Sequence, residues 1–331
     1  MNRYVVIMAA GRGSRMKSLD SNRSKVSYPI LGKALVNYVI DAVEPLNVDK
    51  IVTVVGVGGE ITKNLVKDRS EVVWQNDPKG TGHAVLQAKP VLEKLEGETL
   101  VLCGDTPLLT SEMLENLFKK HEKENNSLTL VSSVLMNPKG YGRIVRENKS
   151  NKVLAIREDK DCSESERLIT EVNAGIYVFD NKKLFEYLSK ITPNNAQNEY
   201  YLTDLIDMFV KDNLKVGAYV TTDATSTYGI NDRVQLAYAS KVIRKRINEK
   251  LMLSGVSIED PDTAYISSDV KIGPDTIIGP NVTIKGNSVI GSGNYIGPNS
   301  YLENVIIGNN NKIMCRYLVD KVIDNDKEVI N

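Results

Sequence analysis

The residues best suited to chemistry lie where short apolar runs end. The first run ends in MAAGRGSRM, residues 8–16, in which two alanines precede two glycines and the cations Arg12 and Arg15. A glycine turn exposes backbone N–H groups, and with nearby cations these form an anion site. Lys25 follows ten residues after Arg15 and can reach the same loop. Taken alone, the stretch predicts either a phosphate-binding loop or a simple turn between a strand and a helix.

Two familiar nucleotide-binding motifs do not fit this loop. A G-x-G-x-x-G dinucleotide fingerprint requires a third glycine where Met16 stands. A Walker A loop requires G-K-[ST] after its first glycine, and that triplet is missing. If the loop binds an anion, it therefore does so through another arrangement.

Two further strand ends supply a carboxylate and a glycine pair. Asp105 follows the apolar run TLVLCG, and ligands of open parallel sheets bind outside the carboxyl ends of the strands. It is therefore placed to hold Mg²⁺, with a turn or N-cap aspartate as the alternative. In QNDPKGTGHAV, Gly80 and Gly82 leave room for a planar base, with an ordinary loop before a helix as the alternative.

The two histidines of the chain do not indicate a catalytic triad. His83 lies beside the glycine pair without a Ser or Cys partner, so we expect packing or support of a neighbouring functional residue. His121, in FKKHEKEN, is expected on a solvated helix surface. The mixed-sign run KVIRKRINEK indicates an exposed helix face and not a nucleic-acid-binding patch.

Composition excludes several classes of protein. A chain of 331 residues exceeds the size at which a single core stops growing, about 250–300 residues, so two domains are expected. Forty-two basic residues balance forty-two acidic ones, which leaves no global field to attract nucleic acid or an anionic membrane. Three widely spaced cysteines without C-x-x-C argue against disulfides or a zinc site. No apolar run reaches the roughly 18 residues of a membrane span, and we expect a cytoplasmic protein.

Elements that position these residues follow from the hydrophobic pattern. Up to about Asp223, short apolar runs such as YVVIMAA, KIVTVVGVG and TLVLCGD alternate with amphipathic stretches such as TSEMLENLFKKHEKE, where Thr110 or Ser111 is the expected N-cap. This alternation predicts an α/β fold with a doubly wound, mostly parallel, Rossmann-like sheet. Residues 231–253 are amphipathic and predict a connecting helix.

After Gly255 an aliphatic residue recurs at every sixth position from Ile266 to Leu302, and the period resumes at Ile307 and Ile313 after a slip. Neither a helix nor an ordinary strand has a six-residue period, whereas a hexapeptide parallel β-helix does. We therefore expect a few coils of solenoid before a charged tail. The predicted domains are residues 1–228, a connecting helix over 229–254, and a short β-helix over 255–331.

Taken in order, the motifs resemble those of the sugar-1-phosphate nucleotidylyltransferases, and most closely the N-acetylglucosamine-1-phosphate uridylyltransferase branch. The matching stretches are MAAGRGSRM with the following SKV, QNDPKGTGHAV, GDTPLL, GYGRIVREN, EDKD, EVNAGIYVF, NNAQNEYYLTD and GINDRVQL. Any one of them is modest evidence, but their shared order is specific. The resemblance also implies that the β-helix is left-handed.

The resemblance implies a role for each matching residue. Arg15 and Lys25 would be catalytic, neutralising phosphates, and Asp105 and Asn231 would hold Mg²⁺. Residues implied in nucleotide binding are Met8, Ala9, Ala10, Gly11, Gly13, Gln75, Gly80, Thr81, Cys103, Gly104 and Asp105, with Gln75, Gly80 and Thr81 reading the uracil. Residues implied around the sugar are Gly142, Glu158, Asn173, Tyr201 and Thr203.

The implied reaction is an in-line attack by the sugar-1-phosphate oxygen on the α-phosphorus of UTP, which releases pyrophosphate and requires Mg²⁺. The alternatives are the same chemistry on a glucose or N-acetylgalactosamine phosphate, or a non-catalytic UDP-sugar-binding protein. Because no histidine follows His121 and the later coils of the family's acetyltransferase site are not in the sequence, we expect no acetyl transfer. The partners are thus small molecules, and a homotrimer through the β-helix is left open.

Two departures from the family pattern bear on the site. Ser24 stands where the family usually has proline before the lysine, and the loop ahead of it is longer, which leaves the placement of Lys25 open. Cys103 stands in place of a tyrosine near the nucleotide.

Overall fold

The structure is a computed structural model that describes residues 1–11, 13–20, 23–148 and 150–329. These residues form two compact units. The first, here called the sheet unit, comprises residues 1–28 and 35–232, and the second, the solenoid unit, comprises residues 29–34 and 233–331. The predicted site residue Arg12 lies outside the described residues.

The helices alternate with the strands along the first two thirds of the chain, as the hydrophobic pattern predicts. They are α1 (Leu35–Val43), α2 (Glu60–Val66), α3 (Thr81–Leu86), α4 (Lys89–Leu92), α5 (Ser111–Glu124), α6 (Asn181–Leu188), α7 (Asp204–Lys211) and α8 (Arg233–Leu253). Short 3₁₀ helices span Ser14–Met16, Lys25–Ser27, Glu44–Leu46 and Glu166–Leu168. In the described ranges, none of the helices combines the length and apolarity needed to cross a bilayer.

The strands up to residue 220 are β1 (Arg3–Ala9), β2 (Pro29–Ile30), β3 (Lys33–Ala34), β4 (Lys50–Gly56), β5 (Glu71–Gln75), β6 (Glu98–Cys103), β7 (Leu128–Val134), β8 (Arg143–Arg146), β9 (Val153–Arg157), β10 (Glu171–Asp180) and β11 (Val216–Val220). The main sheet has the order β11-β7-β10-β6-β1-β4-β5, with β8 and β9 paired beside β10. β1 pairs in parallel with β4 and β6, whereas β10 is antiparallel to β6 and β7. The predicted doubly wound, mostly parallel sheet is confirmed.

Burial explains why these runs form the middle of the sheet. Residues 4–7 of β1 and 99–102 of β6 are almost fully buried, as in strands that are covered on both faces. Their carboxyl ends, at Ala9 and Cys103, lie side by side because Met8 is in register with Cys103. The chemistry-bearing loops that follow β1 and β6 therefore leave the same edge of the sheet.

Local chemistry explains where α5 begins and where α3 ends. Thr110 is the N-cap of α5, since its hydroxyl accepts a hydrogen bond from the backbone N–H of Met113 at 3.3 Å. The stretch after Gly80 forms two helices, α3 and α4, because Pro90 has no N–H to donate to the carbonyl of Leu86, where α3 ends.

The predicted solvated position of His121 is wrong. His121 is 2% exposed, and its Nδ1 lies 2.9 Å from the hydroxyl of Thr129. Burial lowers the pKa of His121 to about 4. The residue continues the apolar face of α5 formed by Leu114, Leu117 and Phe118, a helical spacing that the charged neighbours of His121 obscured.

The solenoid unit contains the hairpin of β2 and β3, the helix α8 and a stack of short parallel strands. Those strands are β12 (Ser257–Ile258), β13 (Tyr265–Ile266), β14 (Lys271–Ile272), β15 (Ile277–Ile278), β16 (Thr283–Lys285), β17 (Val289–Ile290), β18 (Tyr295–Ile296), β19 (Tyr301–Glu303), β20 (Ile306–Ile307), β21 (Lys312–Ile313), β22 (Tyr317–Val319), β23 (Val322–Ile323) and β24 (Glu328–Val329). They form three sheets, in which every third strand pairs in parallel. The predicted hexapeptide β-helix is confirmed.

The recurring aliphatic residues fill the solenoid core, as their period predicts. Ile284, Ile296 and Leu302 are fully buried, and the core continues through Leu318, Ile323 and Val329. The residues that appeared to be a charged tail after Ile313 thus continue the coils. Later coils are shorter: Ile277 pairs with Tyr295, eighteen residues on, whereas Ile306 pairs with Val322, sixteen residues on.

Candidate active site

The candidate site is centred on a cation between two side-chain oxygens. Lys25 Nζ donates to Oδ2 of Asp105 and, at 2.9 Å, to Oδ1 of Asn231. Arg15 Nη2 donates to the same Oδ1 of Asn231 at 2.9 Å. The side chains of Lys25 and Asp105 are only 15% and 14% exposed. Four residues that are distant in the sequence thus form one partly buried charged cluster.

Backbone contacts hold the elements that carry this cluster. Asp105 follows β6, and its carbonyl accepts a hydrogen bond from the N–H of Ile230 at 2.9 Å, which fixes the loop that carries Asn231. The N–H of Gly104 donates to the carbonyl of Met8 at 2.9 Å. Main-chain bonds therefore join the ends of β1 and β6 and the 230–231 loop.

Gly13 allows Lys25 to enter the cluster. Its φ of +64° lies in the left-handed region, and a Cβ there would meet Lys25 Cβ at 2.5 Å. Gly11 has open space around its would-be side chain. The glycines of the first loop thus serve a close approach of the lysine on one side and an open cleft on the other.

Ser24 has a structural partner that the sequence does not reveal. Its hydroxyl lies 2.6 Å from the hydroxyl of Thr62 on α2, and its carbonyl accepts from the Ser27 hydroxyl at 2.8 Å. These bonds fix the start of the 3₁₀ turn that carries Lys25. The side-chain bond to Thr62 therefore anchors the loop at the position where the family usually has proline.

The donor set of the cluster suits a hard divalent cation. Asp105 contributes a carboxylate and Asn231 an amide oxygen, and both oxygens contact one ammonium group, so a single cation can bridge them. Mg²⁺ commonly binds through one or two carboxylates and completes its shell with water and substrate phosphates. Within the described ranges, no group of three or more His, Cys, Asp or Glu side chains is placed to hold a metal. The two oxygens fit Mg²⁺ only as part of a site that a phosphate ligand completes.

A second group of predicted residues surrounds the start of α3. Gln75, at the end of β5, is 4% exposed, and its Nε2 donates to the Gly80 carbonyl at 3.2 Å. Gly80 has φ +108°, and a Cβ there would approach the Tyr200 carbonyl to 2.6 Å. The hydroxyl of Thr81 accepts a bond from the N–H of Leu202 at 3.0 Å. The side chain of Thr81 therefore holds two segments together.

A third group lies before β8, after β9, on β10 and before α7. Glu158 Oε1 accepts from the Thr203 hydroxyl at 3.1 Å, and a Cβ on Gly142 would lie 3.5 Å from both carboxylate oxygens of Glu158. Burial raises the pKa of Glu158 although the Thr203 bond opposes the shift. The Asn173 N–H donates to the Gly142 carbonyl at 2.8 Å. Four of the five predicted sugar residues are thus linked.

Asn173 also closes the irregularity in β10 between residues 173 and 177. Its Nδ2 donates to the Tyr177 hydroxyl at 2.6 Å, and its Oδ1 accepts from the N–H of Gly175 at 3.1 Å. Tyr201, which is 6% exposed, accepts a bond from Gln197 at 2.5 Å. Both predicted side chains are therefore fixed by neighbours within the sheet unit.

Cys103 lies between the charged cluster and the third group. Its Sγ is 3.8 Å from the Gly175 carbonyl, in the irregular part of β10. Burial and the nearby Asp105 carboxylate raise the pKa of Cys103 to about 12, so the thiol is protonated at neutral pH. A protonated thiol is a poor nucleophile, and the predicted contact of Cys103 with the nucleotide stays a prediction.

Several residues beside the first loop were not indicated by the sequence motifs. Arg23, Gly56 and Gly59 line a small cleft with Ala9, Ala10, Gly11, Ser24 and Val57. A Cβ on Gly56 would approach the Ala10 carbonyl to 2.5 Å, so glycine is required for β4 to pack there. The Arg23 guanidinium lies 4.3 Å from the centre of the Tyr28 ring. Its positive charge close to the first loop is the feature of the sequence that could have indicated Arg23.

Comparison with known proteins agrees with this layout. Residues 4–229 match the family model described as Nucleotidyl transferase. That match covers more than half of the chain and includes every residue of the three groups except Asn231.

Curated relatives extend the match at high identity. The Bifunctional protein GlmU of Lactobacillus johnsonii is 50% identical over 273 residues, which is 82% of this chain and 58% of the relative. The Bifunctional protein GlmU of Streptococcus mutans is 45% identical over 313 residues, which is 95% of this chain and 67% of the relative. The chain thus spans about three fifths to two thirds of the length of these relatives.

Among solved structures, a UDP-glucose pyrophosphorylase complexed with UDP-glucose superimposes with a TM-score of 0.61. It covers 74% of this chain and 100% of its own length, at 18% identity. At that identity the similarity concerns the fold alone.

Proposed function

The chain belongs to the nucleotidyl transferase family, and from that premise we propose that it transfers a uridylyl group from UTP to N-acetylglucosamine-1-phosphate. The products are UDP-N-acetylglucosamine and pyrophosphate. The observation that carries the proposal is the cluster of Arg15, Lys25, Asp105 and Asn231 at the ends of β1 and β6. Such a cluster addresses the main obstacle to the reaction, which is repulsion between two phosphate groups.

The chain's own cations would bring these phosphates together. Lys25, now bonded to two oxygens, would turn its ammonium group toward a phosphate, and Arg15 lies beside it on the same amide oxygen. Mg²⁺ held by Asp105 and Asn231 would supply further positive charge to the phosphates. Because the sugar phosphate is ionised at neutral pH, the attack on the α-phosphorus requires no general base.

The other two groups would orient the substrates. Gln75 and Gly80 would read the uracil, while Met8 to Gly11 would lie along the nucleotide. Glu158 is half-buried, and one of its oxygens accepts a bond from Thr203, so the second oxygen is available for a sugar hydroxyl or amide N–H. Orientation of this kind turns a reaction between two molecules into one within a complex and can contribute several powers of ten in rate.

One assay tests the proposal. Pyrophosphate release from UTP and Mg²⁺ is measured with N-acetylglucosamine-1-phosphate, glucose-1-phosphate and N-acetylgalactosamine-1-phosphate. We expect the highest kcat/KM with N-acetylglucosamine-1-phosphate. Preference for another sugar phosphate would overturn the substrate assignment, and no release with any of them would favour a non-catalytic UDP-sugar-binding protein.

Two expectations remain predictions. Supplying acetyl-CoA and glucosamine-1-phosphate tests the expected lack of acetyl transfer, and any acetylated product would contradict it. Light scattering on the purified protein tests whether the β-helix forms a trimer.

A further inference from the structure

His83 lies between two glutamine side chains next to the proposed base site. Its Nδ1 is 3.0 Å from Gln75 Nε2, and its Nε2 is 3.3 Å from Gln87 Nε2. Gln87 Nε2 also donates to the His83 carbonyl at 2.9 Å, within α3. His83 is thus the side chain that contacts the amide end of Gln75 from the helix.

The donors and acceptors fix the orientation of the Gln75 amide. Its Nε2 faces the Gly80 carbonyl at 3.2 Å, and because a carbonyl oxygen can only accept, the amide nitrogen must be on that side. The second N–H of Nε2 then points to His83 Nδ1, which can accept only when the ring is neutral and Nδ1 carries no proton. In that tautomer the ring proton is on Nε2, so the 3.3 Å approach of Gln87 Nε2 is a contact and not a hydrogen bond, and Gln87 bonds to the His83 carbonyl instead. Both donors of Gln75 are therefore used by the protein.

Oε1 of Gln75 takes part in neither of these bonds. In the described part of the chain, the side-chain hydrogen bonds of Gln75 all run through Nε2. The group left for a ligand is therefore a pure acceptor. An acceptor suits the N3–H of uracil, whereas N3 of cytosine is itself an acceptor and would be repelled.

We propose that His83 is a positioning residue for base recognition, which holds the Gln75 amide so that only its carbonyl oxygen is offered to the base. The inference rests on the proposed function, since it takes Gln75 as the residue that reads the base. It adds that the choice of uracil over cytosine depends on His83, which itself need not touch the nucleotide.

The surroundings keep His83 neutral. Burial and the nearby Lys79 ammonium lower the pKa of His83 below its ordinary 6.5, and Asp77 opposes them through its carboxylate and a backbone hydrogen bond to the ring. The centre of the Tyr200 ring lies 6.3 Å from that of the His83 ring. Leu188, Ser189 and Ile191 line a cavity of about 250 Å³ beside His83, in which Lys79 is the charged residue. At neutral pH, Nδ1 is therefore available as an acceptor.

Two substitutions of His83 separate positioning from packing. Asn at position 83 keeps an acceptor close to the place of Nδ1, whereas Leu fills similar space without one. Dissociation constants of UTP and CTP in Mg²⁺ are measured by calorimetry, since binding does not depend on turnover. We expect His83→Leu to weaken UTP binding about threefold to tenfold, the range of one lost hydrogen bond, and to lower the preference for UTP over CTP, and His83→Asn to restore much of both.

The pH dependence of that preference gives a second readout. Protonation of His83 makes Nδ1 a donor, which opposes Gln75 Nε2, so the preference for UTP should fall as the pH drops below 6.5 and through the lowered pKa. Comparing UTP with CTP cancels the titration of the triphosphate, which the two share, and the comparison is kept above the pH at which cytosine N3 takes a proton. Lys79→Gln should move the fall to higher pH, while Lys89→Gln, on the neighbouring helix and bonded to Ser189, should leave it unchanged. His83→Asn should remove it.

The outcomes are distinguishable. If wild-type protein binds UTP tightly and His83→Leu keeps the same preference over CTP at every pH, the positioning role is wrong while the proposed function stands. If His83→Asn and His83→Leu lose the preference equally, His83 acts through packing, and the inference is also wrong. If the wild-type protein binds neither nucleotide, the proposed function itself fails.

Discussion

The two units use residues with positive φ for different purposes. In the sheet unit the left-handed positions at the site are glycines, and a Cβ on Gly13 or Gly80 would collide with Lys25 or with the Tyr200 carbonyl. In the solenoid unit the left-handed turn positions are mostly Asn and Asp. Asn304 accepts a bond from the Asn287 N–H in the preceding coil at 3.2 Å. Glycine appears where another group must approach the backbone, and asparagine where the turn bonds to its own neighbour coil.

This difference distinguishes the candidate site of the sheet unit from the structural coils of the solenoid unit. The missing side chain at Gly80 allows the Tyr200 backbone to approach, whereas the Asn304 side chain bonds to the preceding coil and stabilises the stack. The same contrast holds for ion pairs. Lys25 and Asp105 are largely buried in the sheet unit, whereas the Lys33–Asp269 pair of the solenoid unit, at 2.9 Å, has an aspartate that is 57% exposed. Chemistry is therefore expected from the first pair only.

The largest effect is expected from Asp105→Asn. Removing the charge from a group that organises cations around the phosphates should lower kcat about 10²–10³-fold. The thermal midpoint should change little, because the amide keeps the shape of the carboxylate. Asp269→Asn is the matched control and should leave turnover unchanged in the pyrophosphate assay. Equal losses of turnover in the two variants would remove the distinction between the pairs.

The next effect concerns the solenoid core. Ile284 is fully buried, whereas Ile306 is 55% exposed on the outside of its coil. Ile284→Ala should cost about 2–5 kcal/mol of local stability, and Ile306→Ala should stay within about 0.5 kcal/mol. Hydrogen exchange of the coil amides measures both. Turnover at low temperature should be the same in both variants, and a selective loss in Ile284→Ala would place part of the activity in the solenoid unit.

A smaller effect separates the two kinds of turn. Gly80→Ala should weaken UTP binding and local stability, because the left-handed backbone and the 2.6 Å approach to Tyr200 together cost about 1–3 kcal/mol. Asn304→Gly loses one side-chain bond, for about 1 kcal/mol, and should leave UTP binding unchanged. Calorimetric titration with UTP checks both. Normal affinity in Gly80→Ala would show that the close approach at Gly80 is not required.

The smallest expected effect concerns the pH dependence of folding stability, which should be flat because two opposing contributions cancel. Burial raises the pKa of Glu98 to about 7 and lowers that of His121 to about 4, and their side chains lie 3.8 Å apart. The Glu98 contribution is present below pH 4.5 and is lost as pH rises through 7. The His121 contribution is present above pH 6.5 and is lost as pH falls through 4. Between pH 4.5 and 6.5 the folded and unfolded pairs each hold about one proton, so the slopes cancel.

Single substitutions should reveal the pH dependence of stability that each group contributes. With His121→Asn, protection of the β6 and β7 amides against hydrogen exchange should fall as pH rises from 4.5 to 7, after correction for intrinsic rates. With Glu98→Gln it should rise between pH 4 and 6.5. A steep slope in the wild-type protein would contradict the assignment of both groups as neutral in the folded state.

Much of this architecture is predictable from the sequence, because it depends on periodicity. The apolar run at Tyr4–Ile7 predicts a buried strand, and the isoleucines at every sixth position predict the coils. The carboxyl ends of parallel strands share one edge, so Asp105 and the first loop are expected at the same edge of the sheet, and the pairing of β1 with β6 makes them neighbours. The residues of the first loop themselves indicate Arg15 and Lys25 as anion ligands, whereas a metal-binding role for Asn231 is implied only by motif resemblance. The structure brings the three side chains together, and their roles stay predictions.

Contacts between side chains of separate elements could not be predicted in this way. The Ser24–Thr62 bond and the Gln75–His83 bond depend on how loops and helices pack, which no spacing encodes. The hairpin of β2 and β3 is too short to show a period, yet it belongs to the solenoid unit. His121 was misassigned because its lysine and glutamate neighbours outweighed the helical spacing of the apolar face that it completes.

The most direct test of the proposed transfer follows the phosphorus atoms. UTP labelled with ³²P at the α position, or at the γ position, is incubated with N-acetylglucosamine-1-phosphate, Mg²⁺ and the protein, and the products are separated. The α label should appear in UDP-N-acetylglucosamine and the γ label in pyrophosphate, with both transfers lost in Asp105→Asn. Appearance of the α label in UDP, or of the γ label on the sugar or as free phosphate, would place the attack at another phosphorus atom. Appearance of the α label in UMP would show hydrolysis by water and would contradict transfer to the sugar phosphate.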